Sequence, residues 1–299
     1  MYEFMKLELE SGNVIEEKHM KKNKSLLLYK IRKNPMTILG LSIIVIMALL
    51  AIFAPYISSY NPTEMNVLDR FQEPSLKHLF GTDEVGRDIL TRVIYGTRIS
   101  LTTGISVVVM AGVIGVFIGS VCGYFGGYVD QVVMRIMDMI LAFPTLILAM
   151  VLAATLGASL FNVMLAIAIV KIPVYVRLSR GEALVVKNNL YVKAARTFGL
   201  SNLYVIFRHI IPNVITPIII QLTLDLGDTI LLVATLGFLG LGAKPPTPEW
   251  GTMISTGFKY MLEQWWYPTF PGIAVFLAST GFNLIGDGLR DILDPKSSR

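Results

Sequence analysis

Long uncharged stretches dominate this chain, separated by short clusters of acidic and basic residues. No charged residue falls between Lys33 and Glu64, and 36–57 is the apolar heart of that stretch. A helix needs about 20 apolar residues to cross the hydrocarbon core of a bilayer, so this run predicts helix one. Some 35 residues of mixed charge precede it, and its length exceeds the apolar region of a cleaved signal peptide. Helix one is therefore read as retained.

Arg98 and Asp130 bracket a second run, predicting helix two over 99–121. Gly115, Gly119 and Gly123 recur there at every fourth position, a spacing that lets a neighbouring helix approach closely. The third run, 139–170, is too long for one untilted span. Its middle, Gly157-Ala158-Ser159 with Asn162 nearby, has turn chemistry, which predicts helix three at 136–156 and helix four at 160–176. Helix five is expected at 214–238 and helix six at 270–286.

Charge decides orientation. With the N-terminus inside, 18 of the 26 Lys and Arg fall in inside segments, 7 in outside segments, and Lys171 within helix four. The excess of basic residues marks the cytoplasmic side, so both termini are expected inside, which requires an even number of crossings.

Composition agrees. Charged residues are 16% and hydrophobic ones 54%, with a mean hydropathy of +0.62; a soluble chain carries about 25% charged residues. The basic residues cap apolar runs instead of clustering between aromatics, which argues against a nucleic-acid face. The single cysteine, Cys122, sits in an apolar stretch as a packing residue and excludes an internal disulfide. His19, His78 and His209 lie far apart and have no metal-ligand spacing. No Gly-x-x-x-x-Gly-Lys-[Ser/Thr] phosphate loop and no Gly-x-Ser-x-Gly elbow occurs, so the chain is expected to bind no nucleotide or other cofactor and to catalyse no reaction itself. The glycines of 237–242 are read as a turn or a close helix packing.

The inside loop at 181–217 carries the most chemistry. Ala194 and Ala195 form a small-residue face, with apolar positions at Leu190, Leu203, Ile206 and Phe207. Gly199 stands where one short helix ends and the next begins, and Pro212 stands where helix five starts. Two short helices hinged at a glycine form a knob that fits a partner's groove, with Arg196 available to a carboxylate, or else a plain surface helix.

This segment resembles the EAA-type loop of ABC importer permeases, whose pattern is Glu-Ala-Ala, three residues, Gly, then a spacer ending in Ile-x-Leu-Pro. Ala194, Ala195, Gly199 and Pro212 match it, Ile211 stands at the leucine, and Lys193 and His209 depart. The departures suit the peptide/nickel branch, where loops read Tyr-Val-x-Ala-Ala-Arg and His-x-x-Pro-Asn, as 191–196 and 209–213 do here. HLFGTDEVGRDILTRVIYGTRISL (78–101), MDMILAFPTLIL (137–148), FLGLGAKPPTPEWG (238–251) and FNLIGDGLRDILDP (282–295) resemble the same branch.

The resemblance implies an all-α membrane protein of about six transmembrane helices with the type I ABC importer permease fold. It implies half of a pathway for peptides or a nickel or metal-chelate species. ATP and Mg would bind on partner subunits. A homologous second permease, two ATP-binding subunits and an extracytoplasmic solute-binding protein are the implied partners, in a bacterial or archaeal plasma membrane. Ala194, Ala195, Arg196, Gly199 and Leu200 are carried over as positions that dock an ATPase subunit. The alternative is a self-sufficient secondary transporter, which predicts internal repeats and a buried coupling carboxylate.

Polar residues inside a membrane mark transport paths by default. Asp138 and Pro144 in helix three, Lys171 and Pro173 in helix four, and Gln221, Asp225 and Asp228 in helix five are the candidates. The competing reading pairs Asp138 with a basic neighbour such as Arg135 and hydrogen-bonds Asp225 and Asp228 to another subunit. Residues 83–98 read as an amphipathic helix that either docks the solute-binding protein or braces the outer face with internal salt bridges. Pro245 to Trp250, with Trp265, Trp266 and Tyr267, reads as a re-entrant or interfacial belt. The chain divides into a cytoplasmic tail (1–35), a first helix with an extracytoplasmic segment (36–98), and a core permease domain (99–299) holding the coupling loop at about 181–213.

Overall fold

The computed structural model describes residues 34–293. The expected N-terminal tail lies outside the described residues save Asn34 and Pro35. Among the described residues there is no strand, only an isolated bridge between Thr82 and Asp88. The helices are α1 (Pro35–Ile57), α2 (Ile89–Phe125), α3 (Gly127–Leu141), α4 (Thr145–Leu156), α5 (Leu160–Val186), α6 (Leu190–Thr197), α7 (Asn202–Val205), α8 (Ile211–Phe238), α9 (Trp250–Phe258) and α10 (Trp266–Leu293). Five of the described helices are long and apolar enough to cross a membrane, or six spans if the bent pair α3–α4 counts as one.

The third span departs from expectation. Instead of one helix over 136–156, α3 and α4 meet at 93° around Ala142–Pro144. Pro144 has no N–H to continue the ladder, and its ring pushes Phe143 out of the helical region. The turn predicted at Gly157 is present: Gly157 has φ 93°, and Asn162 Nδ2 donates to Leu156 O and Gly157 O at 2.7 and 2.9 Å.

Helix two begins ten residues before its expected start. Residues 83–88 are not helical, which corrects the amphipathic helix expected there. Asp83 Oδ1 accepts from the amides of Val85 and Arg87 at 3.0 and 2.9 Å, closing a tight turn. Asp88 then caps α2 by accepting from the Thr91 amide at 2.8 Å. A short acidic side chain takes backbone donors that a helix would otherwise use.

Helix five also starts early. The backbone runs from Asn202 through a π turn at Ile206–Ile210 into α8 without a break. Pro212 cannot donate to the preceding turn, and the ladder shifts so that the Ile211 amide bonds Ile206 O. Such an insertion is the usual way a helix absorbs one misfit residue.

Close approach of α2 and α5 forms the centre of the bundle. A Cβ placed on Gly119 would meet Ser179 Oγ at 2.0 Å, and one on Gly115 would meet the Tyr175 Cβ at 2.4 Å. The GxxxG reading of the sequence is therefore a contact, and Ser179 Oγ sits within hydrogen-bond reach of Tyr175 O in its own helix at 2.6 Å and of Gly115 O across the contact at 3.0 Å. Helix α1 is tied on differently. Pro55 leaves Ala51 O without its ladder donor, and the Arg98 guanidinium donates to Ala51 O and, at 2.8 Å, to Ile52 O.

At the end where α1 stops and α2 begins, residues 58–88 and 240–267 form a packed cap. Trp250, Trp266 and Tyr267 are buried in it, not arrayed in an interfacial belt, and of these four aromatics only Trp265 is exposed. Each buried indole needs an acceptor, and each has one: Trp250 Nε1 donates to Val93 O at 3.1 Å and Trp266 Nε1 to Thr82 O at 3.4 Å. Arg87 pairs with Asp83 at 2.6 Å and Glu84 at 3.1 Å. The charges of this segment thus brace the cap internally.

Candidate functional site

The opposite end of the bundle carries an elbow made by α6, Gly199 and α7. Gly199 has φ 77°, a left-handed conformation that costs a residue with a side chain about 1–2 kcal/mol. The reversal there closes with the Leu200 amide bonded to Ala195 O at 3.2 Å and the Gly199 amide to Arg196 O at 3.0 Å, which is the Schellman arrangement for ending a helix. Ser201 then caps the next helix by accepting from the Tyr204 amide at 3.3 Å.

One side of the elbow is sealed into the protein. Val192 and Ala195 pack with Val205, Ile206 and Ile210 in the main apolar core. Ala195 therefore faces its own chain, whereas Ala194, Arg196, Gly199 and Leu200 are exposed. The outer side also presents Leu190 and Phe198, each 85% exposed, with Leu203 at 61%. Large exposed apolar side chains on one short segment that also exposes Lys193 and Arg196 suit an interaction surface. Phe198 escaped the sequence reading; its signal is an aromatic set directly before a hinge glycine.

The elbow is anchored to the end of α2. Tyr124 Oη donates to Asn202 Oδ1 at 2.8 Å, and the Arg196 guanidinium lies 5.6 Å from the centre of the Tyr124 ring. Lys187 Nζ donates to Gly123 O at 2.7 Å. Nearby, Arg180 grips both oxygens of Asp130, its Nη2 reaching Oδ2 at 2.6 Å. This bidentate link from α5 to α3 was not legible in the sequence, because its partners stand fifty residues apart.

The candidate pathway residues are only partly brought together. Asp138 pairs with Arg177 of α5 at 2.5 Å, not with Arg135, and both side chains are about half exposed. Pro144 sits at the bend before α4, and Gln221 is half-buried on α8. Asp225 is buried and bonded to Lys171 Nζ at 3.3 Å. Asp228 is exposed and, with Lys171, Thr145, Leu146, Leu231, Leu232 and Thr235, lines a cavity of about 390 Å³.

In the cap, burial raises the carboxyl of Glu249 above the usual range, although it accepts from Gly251 N, Thr252 N and Thr252 Oγ1 at 2.8, 2.8 and 2.9 Å. Asp69 is shifted the other way, chiefly by the hydrogen bond from Lys77 at 2.7 Å.

Residues 115–299 match the model of the family described as "Binding-protein-dependent transport system inner membrane component". Residues 25–74 match the "N-terminal TM domain of oligopeptide transport permease C". The chain is 49% identical over 293 residues to the "Probable D,D-dipeptide transport system permease protein DdpC" of Escherichia coli, covering 98% of each chain. It is 46% identical over 267 residues to the "Dipeptide transport system permease protein DppC" of Alkalihalophilus pseudofirmus, covering 89% of this chain and 88% of that one. With the Escherichia coli protein of that same name the figure is 47% over 272 residues, 89% of this chain and 90% of the other. The all-helical type I architecture and these matches together place the chain in a family: it belongs to the binding-protein-dependent transport system inner membrane components, the membrane permeases of ABC importers.

Proposed function

We propose that this chain forms half of the membrane pathway of an importer for dipeptides or other short peptides, with both termini cytoplasmic. ATP and its Mg are bound and hydrolysed on two partner subunits, a homologous permease forms the other half, and an extracytoplasmic binding protein delivers cargo. The elbow carries this reading: an exposed apolar and basic knob, rigidly hinged, at the end of the bundle where the basic residues gather. Ala194, Arg196, Gly199 and Leu200 meet the ATPase subunit there, and Ala195 sets the elbow's depth from inside. When the two ATPase subunits close, they move the elbow as a rigid piece, and Tyr124 passes that displacement to α2. Two arrangements of similar energy are then biased by ATP. Peptide cargo is favoured over nickel chelates by the names of the relatives, and 98% coverage of one of them supports a shared role for the whole chain.

The test is uptake of a labelled dipeptide into proteoliposomes holding the full set of subunits and the binding protein. Uptake should require ATP and persist when ionophores collapse every ion gradient. Uptake that follows the proton or sodium gradient without ATP would overturn the proposal in favour of a secondary transporter. Titrating the binding protein with dipeptides and with nickel chelates reads the cargo directly.

A further inference from the structure

Asp228 stands well inside the membrane-spanning part of α8, about 26 Å from the start of that helix and about 15 Å from its end at 1.5 Å per residue. Its side chain is exposed, and no hydrogen bond or ion pair to another described residue reaches it. A lone carboxylate in hydrocarbon is costly enough that such groups face water, a partner or a ligand. Beside it, Lys171 already has a counter-ion, Asp225, at 3.3 Å, with side chains only 12% and 10% exposed. Lys171 therefore cannot neutralise both carboxylates, and the trio carries a net charge of one minus. Behind it, Asp225 and Tyr175 are both buried, and the Tyr175 hydroxyl interacts with the Asp225 carboxylate. Lys171 and Asp228 open on the cavity of about 390 Å³, whose other walls are the hydroxyls of Thr145 and Thr235 and three leucines.

An anionic, partly desolvated pocket with apolar walls selects a cation that carries an apolar body. We propose that Lys171, Asp225 and Asp228 form a subsite for the protonated amino end of the cargo, with Asp228 as the direct ion partner. Asp225 holds Lys171 aside so that its ammonium does not fill the site. This inference rests on the importer reading and deepens it. The rival account of the same residues is that a basic side chain of the second permease covers Asp228.

The experiment uses the complete transporter in proteoliposomes, with Cys122→Ala as background and Thr235→Cys as a reporter in the cavity wall. A cationic aminoethyl methanethiosulfonate and an anionic sulfonatoethyl one are compared, with and without ATP. The cationic reagent should react faster, and Asp228→Asn should slow it about tenfold while speeding the anionic one by a similar factor, the effect of one charge at about 10 Å in a medium of effective dielectric near 20. Dialanine should slow the cationic reagent. In the same vesicles Asp228→Asn should cut ATP-driven dialanine uptake about tenfold while ATP hydrolysis stimulated by the binding protein is retained. A Thr235→Cys that is unreactive in both nucleotide states, or a reagent preference indifferent to Asp228→Asn, overturns the subsite and supports coverage by the other permease. The labelling arm needs no transport, so absent ATP-driven uptake in the unmutated complex strikes the importer reading alone.

Discussion

Tyr124 Oη lies 2.8 Å from Asn202 Oδ1, joining the last turn of the 37-residue helix α2 to the first residue of α7. The Tyr124 ring also receives the Arg196 guanidinium from α6, so both arms of the elbow hold the same side chain. On the proposed function, this shared side chain is the route by which a displaced elbow would move α2, and the close packing of α2 on α5 is the route into the bundle.

Tyr124→Phe removes the hydrogen bond and keeps the ring. The loss is about 1 kcal/mol, enough to loosen the joint without unfolding it. Peptide transported per ATP hydrolysed should fall several-fold while the ATPase subunits still bind. An unchanged ratio would show that Tyr124 transmits nothing.

Substitution at Gly199 separates conformation from contact. A Cβ there meets no atom within 4 Å, yet φ is 77°. Gly199→Ala should cost about 1–2 kcal/mol in the elbow and Gly199→Val more, because branching at Cβ disfavours that region further. Co-purification of the ATPase subunits should decline in that order. Asn, which tolerates the left-handed region, should retain most of it.

At Gly119 the penalty is steric. Even Gly119→Ala places a carbon 2.0 Å from Ser179 Oγ and 2.4 Å from Val176 O, so α2 and α5 must separate. Overpacking of this kind costs about 1–3 kcal/mol, and the midpoint of thermal inactivation in detergent should drop. Ser179→Gly alongside should restore little, since the Val176 carbonyl remains in place.

The Asp130–Arg180 link should behave as a pair. Arg180→Ala leaves a carboxylate that is only 12% exposed without its partner, a loss that reaches a few kcal/mol for buried pairs and less where water enters. Asp130→Asn combined with Arg180→Gln should be less harmful than the sum of the single changes. Thermal stability of the four forms measures the coupling.

Glu249 makes the cap sensitive to pH. Burial raises its carboxyl above the ordinary value of 4.5, so the folded state binds a proton that the unfolded state releases. Stability contributed by this group therefore rises as pH falls through its folded value and levels off below about 4.5. Asp69, shifted downward from 3.8, acts only at lower pH and with opposite sign. The difference in melting temperature between wild type and Glu249→Gln should change between pH 7.5 and 5; a constant offset would refute the assignment.

Periodicity and charge in the sequence were enough for the helical class, the approximate spans, the turn at Gly157 and the hinge at Gly199. They also marked the glycine face of α2. These are local or one-dimensional properties: length of an apolar run, turn chemistry at a glycine, a repeat every four residues. The break at Pro144 was written in the sequence as well, but a proline bends, kinks or merely starts a helix, and only the packing of α3 and α4 decides for 93°. Tertiary structure alone brought Lys171 to Asp225, Arg177 to Asp138, Arg180 to Asp130 and Tyr124 to Asn202. It also turned Ala195 inward and Phe198 outward, and moved two tryptophans from the expected interfacial belt into the cap core. Those pairings join residues 39 to 78 positions apart, where no periodicity reaches, and they exist because an ion or hydroxyl kept from water must find its partner on whichever helix packs beside it.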